Sequence, residues 1–378
     1  MNFPKGFGSL MPPHTWRFVI PALILTTTFY FLLGSSWQAH QPHIPQQVDY
    51  HDKIGVEGGH HTSSSNNDEN GVSVNLVIAT LSKDDISWTQ NIAIPNLKII
   101  RYISDDMKAE FHPPVPNKGR EALIYHTYLN DFYDDLPDIS IFTHADEKPW
   151  HVEGTLNSSL SFALSHLDLN EVLQRHYFNL RVLWEDGCPN WINTSKTDKN
   201  DKNWSKLEEP YMYEAFSENF ATSDVPGILA GPCCSQFAVT KDAVRRHTKS
   251  QYQINMDWLV QTHWDDYITG RVWEHMWQYL FLGKAVDCDV EWRAYCKMYH
   301  ICFDSQSRNL LTHLKEEKKE LERKTGLLEG LLDLLRGFEA KKRLQEINAI
   351  LAEELEKALE RGKDEAVRTN LLSDFSNS

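Results

Sequence analysis

Apolar and polar positions alternate along this chain in blocks that read as strands and helices in turn. SVNLVIATL (73–81) is apolar almost throughout, as a strand buried on both faces of a parallel sheet should be. KIIRYIS (98–104) and DISIFTHA (138–145) repeat that pattern. Between them Ala122, Tyr125, Leu129 and Phe132 recur at helical spacing, which predicts a helix over 120–135. Leu169 to Phe178 reads as helix, and LRVLWE (180–185) as another strand. Asp186 to Ser205, rich in Asn, Asp and Lys, reads as a surface loop. ILAGPCCSQFAVT (228–240) predicts strand, tight turn and strand, and helices follow near 250–262 and 270–282. The alternation predicts an α/β domain over 72–304, with a mixed sheet flanked by helices.

The flanks follow other patterns. Residues 18–34 carry no charge, Trp16 and Trp37 bracket them, and Lys5 and Arg17 precede them. This predicts a transmembrane signal anchor over 18–37, with a cytosolic tail at 1–17 and a lumenal body, in the manner of a single-pass type II membrane protein. A cleaved signal peptide is the rival reading. The polar segment 38–71, with five histidines, predicts a disordered stem. Residues 305–378 are rich in Leu, Glu and Lys, and Leu314, Leu321, Leu328 and Leu335 recur every seven residues. A coiled coil that forms homo-oligomers and a helical hairpin folded on itself both fit that spacing.

Charge and cysteine content narrow the class. The formal net charge of −15 argues against nucleic acid as a partner. The tail's 14 bases nearly match its 15 acids, so almost all the excess negative charge lies elsewhere. Asn157, Asn193 and Asn203 head N-x-S/T sequons, candidate glycosylation sites in a lumenal protein. Six cysteines (Cys188, Cys233, Cys234, Cys288, Cys296 and Cys302) all lie in the predicted lumenal body and suit disulfides. Their spacing leaves the connectivity open. The expectation is that Cys288, Cys296 and Cys302 join each other or the Cys233–Cys234 pair.

Candidate chemistry collects at the predicted strand ends, where α/β sheets bind ligands. The first strand is followed by Asp84 and Asp85, and the third by His144, Asp146 and His151. Between them Asn117, Lys118, Gly119, Arg120 and Glu121 open a helix, a natural phosphate site. His144 and Asp146 are candidate ligands for a divalent metal that would neutralise a departing diphosphate. His151 reads as structural. In TGRVWEHMWQYLF (269–281), Glu274 sits among tryptophans, where its carboxyl should have a raised pKa and serve as a general base. Together these groups suggest a nucleotide-sugar site.

The blocks VIATLSKDDISW, PNKGREALIYHTYL, NDFYDDLPDISIFTHAD, GPCCSQFAVTKDAVRRH and TGRVWEHMWQYLF occur in that order. Together they resemble the family called domain of unknown function 3431, over about 73–303. The resemblance implies similarity to glycosyltransferases of GT-A fold, a nucleotide-diphospho-sugar donor, and Mn²⁺ or Mg²⁺. It carries donor binding onto Asn117, Gly119, Arg120 and Glu121, metal binding onto His144 and Asp146, and a W-E-x-x-W block onto Trp273, Glu274 and Trp277. The double cysteine before Gln236 fits the fungal, secretory-pathway branch that the resemblance implies.

The expectation is therefore an ER or Golgi membrane enzyme with a lumenal domain. It would move a sugar from a nucleotide donor to a glycan, lipid or small-molecule hydroxyl. Asp84 or Asp85 would meet the nucleoside and Arg120 the diphosphate. The alternatives are a non-catalytic lumenal binding or scaffold module with a partner-recruiting tail, and a metal-dependent hydrolase.

Overall fold

A computed structural model describes residues 71–185, 187–189, 191–201, 206–326 and 331–375, the side chains of 324–338 excepted. The predicted cytosolic tail, anchor and stem and the Asn203 sequon lie outside the described residues. Among the described residues no helix is long and apolar enough to cross a membrane.

The centre is a five-stranded mixed sheet of β1 (Val74–Thr80), β2 (Leu97–Ile103), β3 (Ile139–His144), β4 (Tyr177–Asn179) and β7 (Phe237–Thr240), in the order β2-β1-β3-β7-β4. β1 pairs parallel with β2 and β3, while β7 runs antiparallel between β3 and β4. β5 (Ile192–Asn193) and β6 (Ile228–Leu229) form a separate two-stranded ladder. The apolar run of β1 is explained by its place between two partners with core on both faces. Leu76 and Ile78 enter one apolar cluster and Val77 the other, the two-residue alternation of a strand.

One face carries α1 (Arg120–Asp131), which packs on α6 (Lys249–Gln261) and α7 (Asp266–Glu274). Tyr125, Phe142, Phe237, Trp273 and Trp277 fill that core. α4 (Met212–Phe220), α5 (Lys241–Val244) and α8 (Trp277–Leu282) complete it. The other face carries α2 (Leu160–His166), α3 (Leu169–Arg175) and α9 (Glu291–Tyr299), with Leu164, Tyr295 and Tyr299 in the core.

Three expectations about elements fail. The helix expected to run to Phe178 stops at Arg175, because β4 takes Tyr177–Asn179 into the sheet. Residues 180–185 are not a strand. β7 begins at Phe237, so the ladder with β4 stops at the Asn179–Phe237 pair. Beyond it Arg181 N–H turns to the Asn179 side chain and Trp184 N–H to Glu291. The helix expected over 270–282 is two helices, α7 and α8, interrupted at His275 and Met276.

All six cysteines are in disulfides, paired Cys188–Cys288, Cys233–Cys234 and Cys296–Cys302. Cys296 and Cys302 join as expected, but Cys288 takes Cys188, and the adjacent Cys233 and Cys234 join each other. Long-range folding, invisible in spacing, brings the loops of Cys188 and Cys288 together.

In the tail, α10 (Ser305–Gly326) and α11 (Leu331–Lys363) form a hairpin, followed by α12 (Glu365–Ser373). Arg361 pairs with Asp304, Ser307 with Glu354 and Arg343 with Glu317, so the helices run antiparallel. The hairpin packs against the α/β unit. Leu311 and Ala358 are buried in the same cluster as Tyr299, and Cys302 N–H donates to Ala358 C=O. Leu314 is buried; the side chains of Leu328 and Leu335 lie outside the described residues.

Candidate functional site

The C-terminal ends of β1, β2 and β3 open into a cavity of about 1010 Å³, lined there by Thr80, Ser104 and His144. Its wall also contains Asp84, Asp85, Asn117, Arg120, Glu121, Asp146, His151 and Glu274. These residues come from five separate stretches of chain, and the parallel strands bring them to one edge. Of the candidate donor-binding residues, only Gly119 is absent from the lining.

Gly119 instead shapes the turn that presents Arg120. Its φ is +64°, and a Cβ there would stand 3.2 Å from both Leu123 and Leu259. Its N–H donates to Asp266, whose carboxylate also pairs with Lys118. Asn117 and Arg120 themselves have left-handed φ of 52° and 51°. Left-handed backbone at non-glycine residues is sparsely populated and clusters at functional sites. The Arg120 side chain crosses Gly270, where a Cβ would lie 2.9 Å from Arg120 Cδ. Its guanidinium lies 5.3 Å from the centre of the Tyr267 ring, with Arg271 4.7 Å from the same ring. Among the described residues Arg120 makes no ion pair.

Asp84 and Asp85 line the cavity but also hold their own loop. Asp84 accepts from Leu81 N–H, and Asp85 from Ser87 N–H and hydroxyl. The Ser87 hydrogen bonds hold the Asp85 carboxyl below its usual range. Trp88 ties this loop to the one after β3 by donating to Ala145 C=O.

His144 and His151 face each other with Nδ1 atoms 3.2 Å apart, so one ring donates and the other accepts. Burial pushes His144 below its ordinary pKa. Burial, with the charges of Arg181 and Arg271 beside it, takes His151 down to about 2. Both rings are neutral at physiological pH. His144 Nε2 is buried without a partner. Asp146 is exposed at the rim. Among the described residues no three His, Cys, Asp or Glu side chains converge to hold a metal, so His144 and Asp146 lack a third protein ligand.

Glu274 opens on the cavity and is enclosed by protein elsewhere. Burial, reinforced by Glu121, raises its carboxyl to about 8. The rise was the expectation, but at this value Glu274 holds its proton at neutral pH and is a donor there rather than an acceptor.

Four features of this wall escaped the sequence reading. The Cys233–Cys234 disulfide lines it, as do Trp150, Trp191 and Lys206. Trp150 is 47% exposed at the rim, and Lys206 covers the Trp191 ring at 3.8 Å. Arg271 reaches toward Glu208, 3.6 Å away. His275 Nε2 lies 2.9 Å from the same Glu208 oxygen. Nothing local marks Glu208, which lies 67 residues from His275.

The family model for the Protein of unknown function (DUF3431) matches residues 76–297, more than half of the chain. The chain belongs to the DUF3431 family. No curated protein and no solved structure matches it. The DUF3431 segment contains every residue that lines the cavity and stops before the tail hairpin. Of the two expected sequons in it that are described, both asparagines, Asn157 and Asn193, are exposed.

Proposed function

We propose that this DUF3431 protein is a glycosyltransferase of GT-A-like fold whose cavity binds a nucleotide-diphospho-sugar, the sugar passing to a hydroxyl acceptor. The observation that carries the reading is Arg120. It stands exposed at a helix N-terminus, in strained backbone, free of any ion pair among the described residues, on a cavity at the C-terminal edge of parallel strands. A cation so presented suits a diphosphate. The cavity volume suits a nucleotide sugar. Lys83 and Lys148 line the same wall and add positive charge.

In this reading Asp84 and Asp85 meet the nucleoside, and Arg120 holds the diphosphate as negative charge develops on it. The exposed face of Trp150 offers a flat apolar surface to a sugar or base. Protonated Glu274 donates a hydrogen bond to a ligand oxygen. The same reading places the domain in the secretory lumen behind a single-pass anchor. The charge-free run at 18–34, the exposed sequons and the three disulfides support that placement.

The test is a thermal-shift screen of the full-length chain against nucleotide sugars, with and without Mn²⁺. One nucleotide class should raise the melting temperature by mass action. Arg120→Ala should abolish that shift and turnover while melting normally without ligand. Full activity in this variant would refute the site. No shift with any donor, on folded protein, would favour a non-catalytic binding module.

A further inference from the structure

We propose that His275 is the proton acceptor in the sugar transfer and that Glu208 is its positioning residue; the assignment rests on the transferase reading above. His275 sits in the break between α7 and α8 and lines the cavity beside Arg271 and Glu274. The ring is 7% exposed and cannot swing freely. Its Nε2 is fixed 2.9 Å from Oε1 of Glu208, which is 1% exposed.

The state of Glu208 decides the tautomer. Burial works to raise its carboxyl, but the hydrogen bond from His275, with the Arg271 charge beside it, holds it below the usual range. An ionised carboxylate can only accept, so Nε2 carries the hydrogen and Nδ1 the lone pair. Arg271 fixes the same Glu208 oxygen from a second direction at 3.6 Å. The other oxygen, Oε2, is buried without a partner. Through Oε1 Glu208 is committed to His275 and Arg271, as the third group is in a nucleophile–base–orienter arrangement.

Glu121, Glu274 and Lys206 line the same wall. Glu274 holds its own proton at neutral pH and leaves the acceptor role to the imidazole. In the step, Nδ1 takes the acceptor's hydroxyl proton as that oxygen bonds to the anomeric carbon. The bond from that carbon to the diphosphate oxygen breaks, and its electron pair leaves with the nucleoside diphosphate beside Arg120. Glu208 offsets the charge of the imidazolium, which then returns its proton to water. A single displacement of this kind inverts the anomeric carbon.

The experiment measures nucleoside diphosphate release by the full-length wild type, His275→Gln, His275→Ala and Glu208→Gln, beside the melting shift that each gives with the nucleotide sugar. His275→Gln should lower release about 100-fold or more with the melting shift kept. Imidazole should restore part of the rate to His275→Ala. Glu208→Gln should lower kcat while leaving KM for the nucleotide sugar unchanged, because the ring is still present but no longer held in place. Undiminished release by His275→Gln overturns the assignment and leaves the transferase reading standing. An unchanged kcat in Glu208→Gln assigns Glu208 a structural role and removes it from the proposal. A wild type that neither binds nor turns over any nucleotide sugar overturns both readings together.

Discussion

Replacing Glu274 by Gln removes an ionisable group from the cavity wall while keeping the side chain's shape. The ordinary carboxyl value is 4.5, and burial lifts it here to about 8. A carboxyl with a raised native pKa binds its proton more tightly in the folded chain than in the unfolded one. Its contribution to stability is therefore fully present below pH 4.5 and is lost as the pH climbs through about 8. At 1.36 kcal/mol per pH unit, the loss is about 3 kcal/mol at pH 7 and about 5 kcal/mol above pH 9. Glu274→Gln has nothing to lose there. Its melting temperature minus that of the wild type should be near zero at pH 4. It should rise to roughly 10 °C at pH 9, at about 2–4 °C per kcal/mol. Scanning fluorimetry of both proteins across that range measures the difference, and titrations common to both cancel. A difference that does not change with pH would refute the claim that Glu274 is desolvated beside Glu121.

The other substitutions test how backbone approach shapes the molecule. Gly270→Ala places a methyl group against the flexible Arg120 stem, with Cδ only 2.9 Å away. Helix propensity favours the change by about 1 kcal/mol. The variant should melt no lower than wild type yet bind a nucleotide sugar less tightly, as titration calorimetry would record. Gly362→Ala meets rigid backbone instead, with its Cβ 1.6 Å from His300 C=O. The hairpin must shift away, at about 1–3 kcal/mol, and limited proteolysis should cut the tail faster than in the wild type. An unchanged cleavage rate would mean that the hairpin does not depend on this contact.

Much of the architecture was legible locally. The first three strands fall within a residue or so of their predicted bounds, because apolar β-branched runs have few other uses in a domain this size. The candidate residues of the strand-end loops share one wall for a topological reason. Three parallel strands end on the same edge, so whatever follows each of them meets there. Asn117, Arg120 and Glu121 were legible as a cluster because a helix start concentrates polar residues. Asp84 and Asp85 are ordinary turn and cap residue types, and both hold their own loop, whereas the sequence could not show that His144 turns to His151. That choice depends on rotamers and neighbours.

What the sequence determined by itself is the set of short-range facts: strand and helix periods, the turn before α1, the apolar setting of Glu274 and the family signature. Tertiary structure decided which distant residues meet. It paired Cys188 with Cys288, brought Glu208 to His275, broke the helix expected over 270–282 at His275 and Met276, and folded the leucine-rich tail onto the domain. Periodicity reports how a segment presents its faces, over a span of a few residues. Pairings across 67 or 100 residues depend on how whole elements pack, and no local pattern encodes them.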